Sequence, residues 1–300
     1  MKNWDDMRVF LAVARAESLS AAAPMLKMDP ATLARRITRL ERDLGTSLFV
    51  KSPKGYALTD EGQRVRDSAA EAEMHLNQIR EDGQGRSDEL TGQIRIGAPD
   101  GAANYLLPQV CEKIQADNPS LEVQILALPR VVNLSRREAD MAITVSPPET
   151  GRLLVQKIAD YHLHLAQRAD APPITDLTTL KGRRLVGYIQ DMIFDKELDY
   201  HAILGLPPAQ LASNSVAVQL QMLRQGGVGI VHDFALPTAP ELRRVLVDEV
   251  SLQRTFYLVR HMSDRHSARM QRFADMLVGR LRAEVSQQEL AVSLTEGSSI

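Results

Sequence analysis

Apolar positions recurring every three to four residues mark the first eighty or so residues as helical. Over Trp4 to Glu17, Met7, Phe10, Leu11 and Ala14 fall at i, i+3, i+4 and i+7, with Asp5 and Asp6 in the first turn where a helix dipole favours acids. Ser18 and Ser20 offer caps for a short second helix from Ala21 to Lys27, with Pro24 at the edge of its first turn and an alanine run that permits close helix approach. Lys27-Met28-Asp29 is too short for anything but a tight turn, so the pair predicts a helix-turn-helix. The next helix starts sharply, because Asp29 is a good N-cap and Pro30 at the first position lacks only an N–H that would have no intrahelical partner. Leu33, Ile37, Leu40 and Leu44 put an apolar stripe on one of its faces. Ala31, Thr32, Arg35, Arg36 and Arg39 then point away, with small residues for close approach and arginines that can fork to guanine or phosphate. A solvated, arginine-rich surface helix is the bland alternative.

Gly45 stops that helix, and Leu48 to Val50 and Tyr56 to Leu58 read as two short strands around a basic turn, Lys51 to Gly55. This is a wing whose Lys51 and Lys54 can reach phosphate or the minor groove. Thr59 caps a long helix running to about Gly83, in which Val65, Ala69, Ala72, Leu76 and Ile79 repeat as a heptad seam. The seam predicts a dimerisation helix; packing on its own domain is the alternative. A polar, glycine-containing run from Glu81 to Glu89 reads as a hinge. Beyond it, strand-like runs (Ile94 to Ile96, Val123 to Leu128, Met141 to Val145) alternate with helical patterns (Leu106 to Ile114, Val131 to Arg137), which predicts a parallel α/β sheet. A second set follows: strands Tyr161 to Gln167, Leu185 to Tyr188, Gly229 to Val231 and Phe256 to Val259, and helices Phe194 to Leu204, Val216 to Arg224 and Ser267 to Glu284. Two α/β lobes resembling periplasmic solute-binding proteins fit this, with crossovers near Tyr161 to Gln167 and Phe256 to Arg260 and a hinge around a ligand. The tail after about Ser286 reads as weakly ordered.

Composition narrows the function. An apolar share of 44% and a charged share of 25% describe an ordinary globular chain, and an aromatic share of 4% argues against a base-stacking surface. The net charge of −2 hides an asymmetry: residues 1 to 66 hold 12 Lys/Arg against 8 Asp/Glu, which leaves −6 for the remainder. A basic head on an acidic body suits nucleic acid at one end. A lone cysteine, Cys111, excludes an intramolecular disulfide and a multi-cysteine metal site. Without a signal-like start or a long apolar run, a cytoplasmic protein with no membrane partner is expected.

The order of helix, Ser18-Leu-Ser-Ala-Ala-Ala23, Arg35-Arg-Ile-Thr-Arg-Leu-Glu-Arg-Asp-Leu-Gly45, Ser47-Leu-Phe49 and Gly55-Tyr-Ala-Leu-Thr-Asp-Glu-Gly62 resembles the N-terminal domain of LysR-type transcriptional regulators. Gly92-Gln-Ile-Arg-Ile-Gly97, Leu106-Leu-Pro108 and Arg137-Glu-Ala-Asp-Met-Ala-Ile143 look like the family's effector domain, so the likeness runs to about residue 284. The resemblance implies an all-α winged helix-turn-helix over 1–58, a coiled-coil linker helix and hinge over 59–90, and a two-lobed α/β effector domain over 91–300. Lobe 1 takes about 91–161 plus 260–284, and lobe 2 about 162–259. It implies double-stranded, inverted-repeat DNA, a homodimer or homotetramer, a small-molecule effector and RNA polymerase as partners. Ser20, Ala31, Thr32, Arg35, Arg36, Arg39, Lys51 and Lys54 are the candidate DNA contacts. Where the family usually has Gln near the start of the reading helix and Ser one turn later, this chain has Pro30 and Ala34, so base contacts are expected to differ.

Ligands of open α/β sheets bind at the carboxyl ends of strands, where helix N-termini present free N–H groups. Asp100, Gly101, Ala102, Ser146, Gln190, Asn214, Ser215 and His232 are the candidate effector contacts on that rule. The resemblance puts a carboxylate-holding Ser or Thr where Gly101 stands, after Asp100. Two readings stay open: Asp100 faces the ligand and rejects anions, or it caps its own helix through the N–H of Ala102 or Ala103. Enzyme readings fare worse. Gly226-Gly-Val-Gly229 follows a helix and precedes a strand, the reverse of a phosphate-binding turn. His162 and His164 lack a third metal ligand and read as packing or solvent-facing; Cys111 reads as a buried structural thiol. No nucleophile, base and orienting group stand together, so no catalytic residue, metal or cofactor is expected. A solute-binding or enzymatic α/β protein with a helical appendage is the competing class.

Overall fold

Caps and apolar spacing place the first helices close to where the pattern predicts. The computed structural model describes residues 4–52, 55–83, 89–127, 139–149, 151–193, 195 and 198–297, and the chain divides into two units, Met1–Asp88 and Glu89–Ile300. The first unit holds α1 (Trp4–Ala16), α2 (Leu19–Leu26), α3 (Pro30–Leu44), strands β1 (Phe49–Ser52) and β2 (Gly55–Leu58), and α4 (Asp60–Gly83). The second helix starts two residues earlier than predicted, because Ser18 is the residue whose side chain accepts from the Ala21 N–H. Asp29 caps α3 by accepting from the Thr32 N–H at 2.8 Å and the Thr32 hydroxyl at 2.7 Å, and Gly45 closes it at φ 71°. These bonds hold the Asp29 carboxyl below its ordinary range, the Thr32 hydroxyl contributing most.

Phe10, Leu33, Ile37, Leu40, Leu48 and Phe49 form the core of this unit, and Leu44 at the end of the stripe is 36% exposed. The Glu41 carboxylate accepts from the N–H groups of Leu48 (2.8 Å) and Phe49 (3.2 Å), fastening the entry to the wing onto α3. Two glycines of the Gly55-to-Gly62 motif have steric reasons. A Cβ at Gly55 (φ +127°) would lie 2.5 Å from the Glu17 carbonyl oxygen, and one at Gly62 would lie 2.0 Å from that of Leu48.

The seam expected on α4 meets the unit's own core in its early turns. Ala69 is buried in the unit's own core with Val65 packed beside it, and Glu73 pairs with Arg15 of α1. Ala72 is half-buried, Leu76 is 43% exposed, and the Ile79 side chain lies outside the described residues. The early turns therefore serve the domain, because α1 offers them an apolar surface within reach.

The second unit is built on one sheet. Its elements in order are β3 (Gly92–Ala98), α5 (Asp100–Tyr105), α6 (Leu107–Ala116), β4 (Leu121–Ala127), β5 (Met141–Thr144), β6 (Leu153–Arg168), β7 (Leu185–Gly187), α7 (Tyr200–Ile203), β8 (Leu211–Ala212), α8 (Val216–Arg224), β9 (Val228–His232), β10 (Leu242–Val245), β11 (Ser251–His261) and α9 (Ala268–Gly297). The sheet runs β4-β3-β5-β11-β6-β9-β7-β8, with β10 on β6. It is mixed rather than parallel. One lobe has β3 parallel to β4 and β5, the other has β7 parallel to β8 and β9, and β6 and β11 run antiparallel through both from Ser251↔His164 to His261↔Leu153. The predicted short crossovers are thus the C-terminal parts of strands of 16 and 11 residues.

Two further expectations change. The helix foreseen over Phe194 to Leu204 is reduced, among the described residues, to Tyr200–Ile203, and the one over Val131 to Arg137 lies outside them. The tail foreseen as weakly ordered after Ser286 is helical to Gly297. Val292 is buried in the core there, and the Glu289 carboxylate accepts the His162 N–H at 2.6 Å and meets its Nδ1 at 2.9 Å. No helix among the described residues is long and apolar enough to cross a membrane.

Candidate functional site

Helix α3 exposes its polar side. Ser20, Ala31, Arg35 and Arg39 are exposed and Thr32 half-buried, and an open groove between α2 and α3 is lined by Ser20, Lys27, Asp29, Pro30 and Thr32 among others. Arg35 donates to the Thr32 hydroxyl at 3.0 Å. Arg36 and Arg39 are tied down. The carboxylate of Asp6, 3% exposed on α1, accepts from Arg39 Nε at 2.5 Å and also from its Nη2, and Arg36 Nη1 lies 3.4 Å away. A buried acid thus orients two cations on the neighbouring helix. The Lys51 side chain and all of Lys54 lie outside the described residues.

Between the lobes, Asp100, Gly101, Ala102, Asn214 and His232 line one cavity of about 20 Å³ together with Val145, Tyr161, Tyr188 and Phe256. That is room for about one water molecule. Gln190 instead lines a neighbouring space of about 120 Å³, which shares Tyr188. Ser146 donates its hydroxyl to Asp195, tying the first lobe to the segment after β7. Asp100 does not cap its own helix, which starts without a side-chain cap bond. Its Oδ2 accepts from the Val216 N–H at 2.7 Å, the Ala217 N–H at 3.3 Å and the Ser215 hydroxyl at 3.1 Å, so it occupies the N-terminus of α8 in the opposite lobe. Asn104 Nδ2 donates to its Oδ1 at 3.0 Å. Burial raises the Tyr188 and Tyr105 phenols, and the Asp100 charge adds to both shifts.

His232 ends β9 at 5% exposure, stacked on Tyr161 at 5.7 Å. Burial pushes its imidazole down to about 4 against the opposing pull of Asp233, so the ring is neutral at pH 7. Its Nδ1 has no partner among the described residues, nor has the buried hydroxyl of Tyr200 at 6.4 Å between ring centres.

Comparison with known proteins decides the family. The chain matches "LysR substrate binding domain" over residues 87–282 and "Bacterial regulatory helix-turn-helix protein, lysR family" over residues 4–63. It belongs to the LysR family of transcriptional regulators. HTH-type transcriptional regulator IlvY of Escherichia coli (strain K12) is 31% identical over 148 residues, 47% of this chain and 49% of IlvY, so the match spans about half of that relative. HTH-type transcriptional regulator PtxR of Pseudomonas aeruginosa is 24% identical over 241 residues, 77% of each chain. Full-length OxyR C199D from Pseudomonas aeruginosa superposes with a TM-score of 0.74 at 19% identity over 94% of this chain and 95% of that one. Full-length LysG from Corynebacterium glutamicum with bound effector Arg gives 0.62 at 17% identity over 93% and 98%. At these identities the two structures show the LysR-type fold alone.

The LysR family is one of regulators rather than enzymes, and the side chains considered for chemistry are structural here. Among the described residues no group of three or more His, Cys, Asp or Glu could hold a metal ion. Cys111 is buried, and burial pushes its thiol up to about 12, which keeps it protonated and unreactive. His164 is buried against Asp233 at 2.8 Å, and Asp233 also accepts from Arg244 at 2.7 Å. Sequence reasoning missed Asp6 as an anchor, although an acid on the Asp6, Val9, Phe10, Val13 stripe was the available signal. For the reach of Asp100 into the other lobe there was no local signal.

Proposed function

We propose that this chain is a DNA-binding transcriptional regulator with α3 as its reading helix and a small-molecule effector, taken up in the inter-lobe cleft, that modulates DNA binding or activation. The observation that carries the reading is an amphipathic, capped helix whose arginines are held in place by a buried acid within a LysR-family helix-turn-helix. Ala31, Thr32 and Arg35 are assigned to bases, Arg36 and Arg39 to phosphates and orientation, and Ser20, Lys51 and Lys54 to the backbone. The effector contacts assigned are Asp100, Gly101, Ala102, Ser146, Gln190, Asn214, Ser215 and His232. The protein acts in the cytoplasm as a homodimer or homotetramer on inverted-repeat DNA, with RNA polymerase as a further partner. Leu76, exposed on α4, is the seam position that supports self-association.

Fluorescence anisotropy with operator DNA selected from a genomic library tests the reading. Affinity is expected to fall steeply with salt, as counterions return to the phosphates, and selected sites to be inverted repeats with half-sites one DNA turn or a multiple apart. Light scattering should show Leu76→Asp with a smaller mass than wild type. Wild-type protein that is monomeric at micromolar concentration and indifferent to DNA would overturn the reading.

A further inference from the structure

The cleft already contains a carboxylate. Ser215, Val216 and Ala217 converge three donors on one oxygen of Asp100 and Asn104 donates to the other, so four donors meet a single carboxylate. Helix α8 contributes the positive end of its dipole, and Asp100 makes no ion pair with a lysine or arginine among the described residues. This is the arrangement in which helix N-termini bind free anions, with the anion supplied by the opposite lobe. His232 also lines this cavity, and its buried Nδ1 has no partner among the described residues.

We propose that Asp100 is a built-in carboxylate ligand of the α8 terminus, which latches the two lobes and determines specificity by excluding free carboxylates from that end of the cleft. An incoming acid would have to displace a tethered competitor and approach its charge, so the effector that fits beside the latch is neutral or cationic. Ser146 on Asp195 adds a second tie between the same lobes. A Cβ at Gly101 would meet Val216 Cγ2 at 3.4 Å and His232 Cε1 at 3.6 Å, which are ordinary contacts. The inference rests on the cleft being the sensing site, yet its test is independent of DNA, so its failure and that of the regulator reading are told apart.

The test uses the full chain and sodium acetate, with sodium chloride at matched ionic strength as control. In Asp100→Ala the vacated terminus should take acetate: the thermal midpoint should rise in acetate and not in chloride. The Val216 and Ala217 amides, exchanging about tenfold faster than in wild type, should slow again when acetate is added. Wild type should show neither change. Asp100→Asn, which keeps the shape and loses the charge, supplies the same amide readout with faster exchange expected, should the alanine variant not fold. Equal acetate stabilisation of wild type and Asp100→Ala, an alanine variant indifferent to acetate, or amides as slow in the variants as in wild type would each overturn the proposal.

Discussion

Asp6 and Asp100 do the same chemistry in different mechanical settings. Asp6 reaches from α1 to arginines of α3, two helices that share one packed core, so the bond orients side chains on a surface whose backbone that core already holds. Asp100 reaches from one lobe to a helix terminus in the other, across a cavity. A carboxylate inside a single core fixes a shape, whereas one that bridges two lobes ties together parts that could otherwise hinge. The reading face is therefore expected to be rigid and the cleft adjustable.

The largest expected effect would expose the cleft side of that contrast. The His232 imidazole is depressed to about 4 in the folded chain against 6.5 unfolded, so the unfolded chain binds more protons between those values. Stability from this residue is complete above about pH 6.5 and is lost as pH falls towards 4, by about 3 kcal/mol in all. Thermal midpoints from pH 7.5 to 4 should fall in wild type and fall less in His232→Phe; parallel curves would show that the ring is not buried neutral.

The helical side is tested next. Asp6→Ala leaves Arg39 without this acceptor and Arg36 with only Asp5 at 3.8 Å, and should cost about 1.5 to 3 kcal/mol, less than a fully buried pair because Arg39 is half exposed. Trp4, the sole tryptophan, lies on α1 and reports urea unfolding of this unit by its fluorescence. If Asp6 orients the reading face, operator affinity should drop in Asp6→Ala beyond what the unfolded fraction explains; an unchanged affinity of the folded protein would make Asp6 a stability residue only. Arg35→Ala should cost about 1 to 3 kcal/mol of operator binding and relax one base position, as for a lost bidentate contact. Lys54→Ala should weaken all sequences alike and lower the salt slope by about one. The smallest effect belongs to Asn104→Ala, which removes a single donor from Asp100 and should cost about 0.5 to 1.5 kcal/mol of thermal stability. A loss as large as that of Asp100→Ala would move the latch from the α8 terminus to Asn104.

What the sequence determined by itself was whatever neighbours along the chain decide. Asp29, Pro30 and Gly45 bound α3, the Leu33, Ile37, Leu40 spacing chose its buried face, and Gly55 marked the turn of a wing, at a position where a Cβ would meet the Glu17 carbonyl. The family motifs lie in these stretches for the same reason. Tertiary structure decided every partner distant along the chain: Asp6 with Arg39 at 33 residues, His164 with Asp233 at 69, Asp100 with Val216 at 116 and His162 with Glu289 at 127. It also divided α4 between core and surface and extended α9 past Ser286, since amphipathic spacing states that a face will be buried and leaves open against what. A cap read from sequence is a donor and an acceptor three residues apart. The cap that Asp100 provides needs the sheet to bring two lobes together, and no local pattern of residues encodes that meeting.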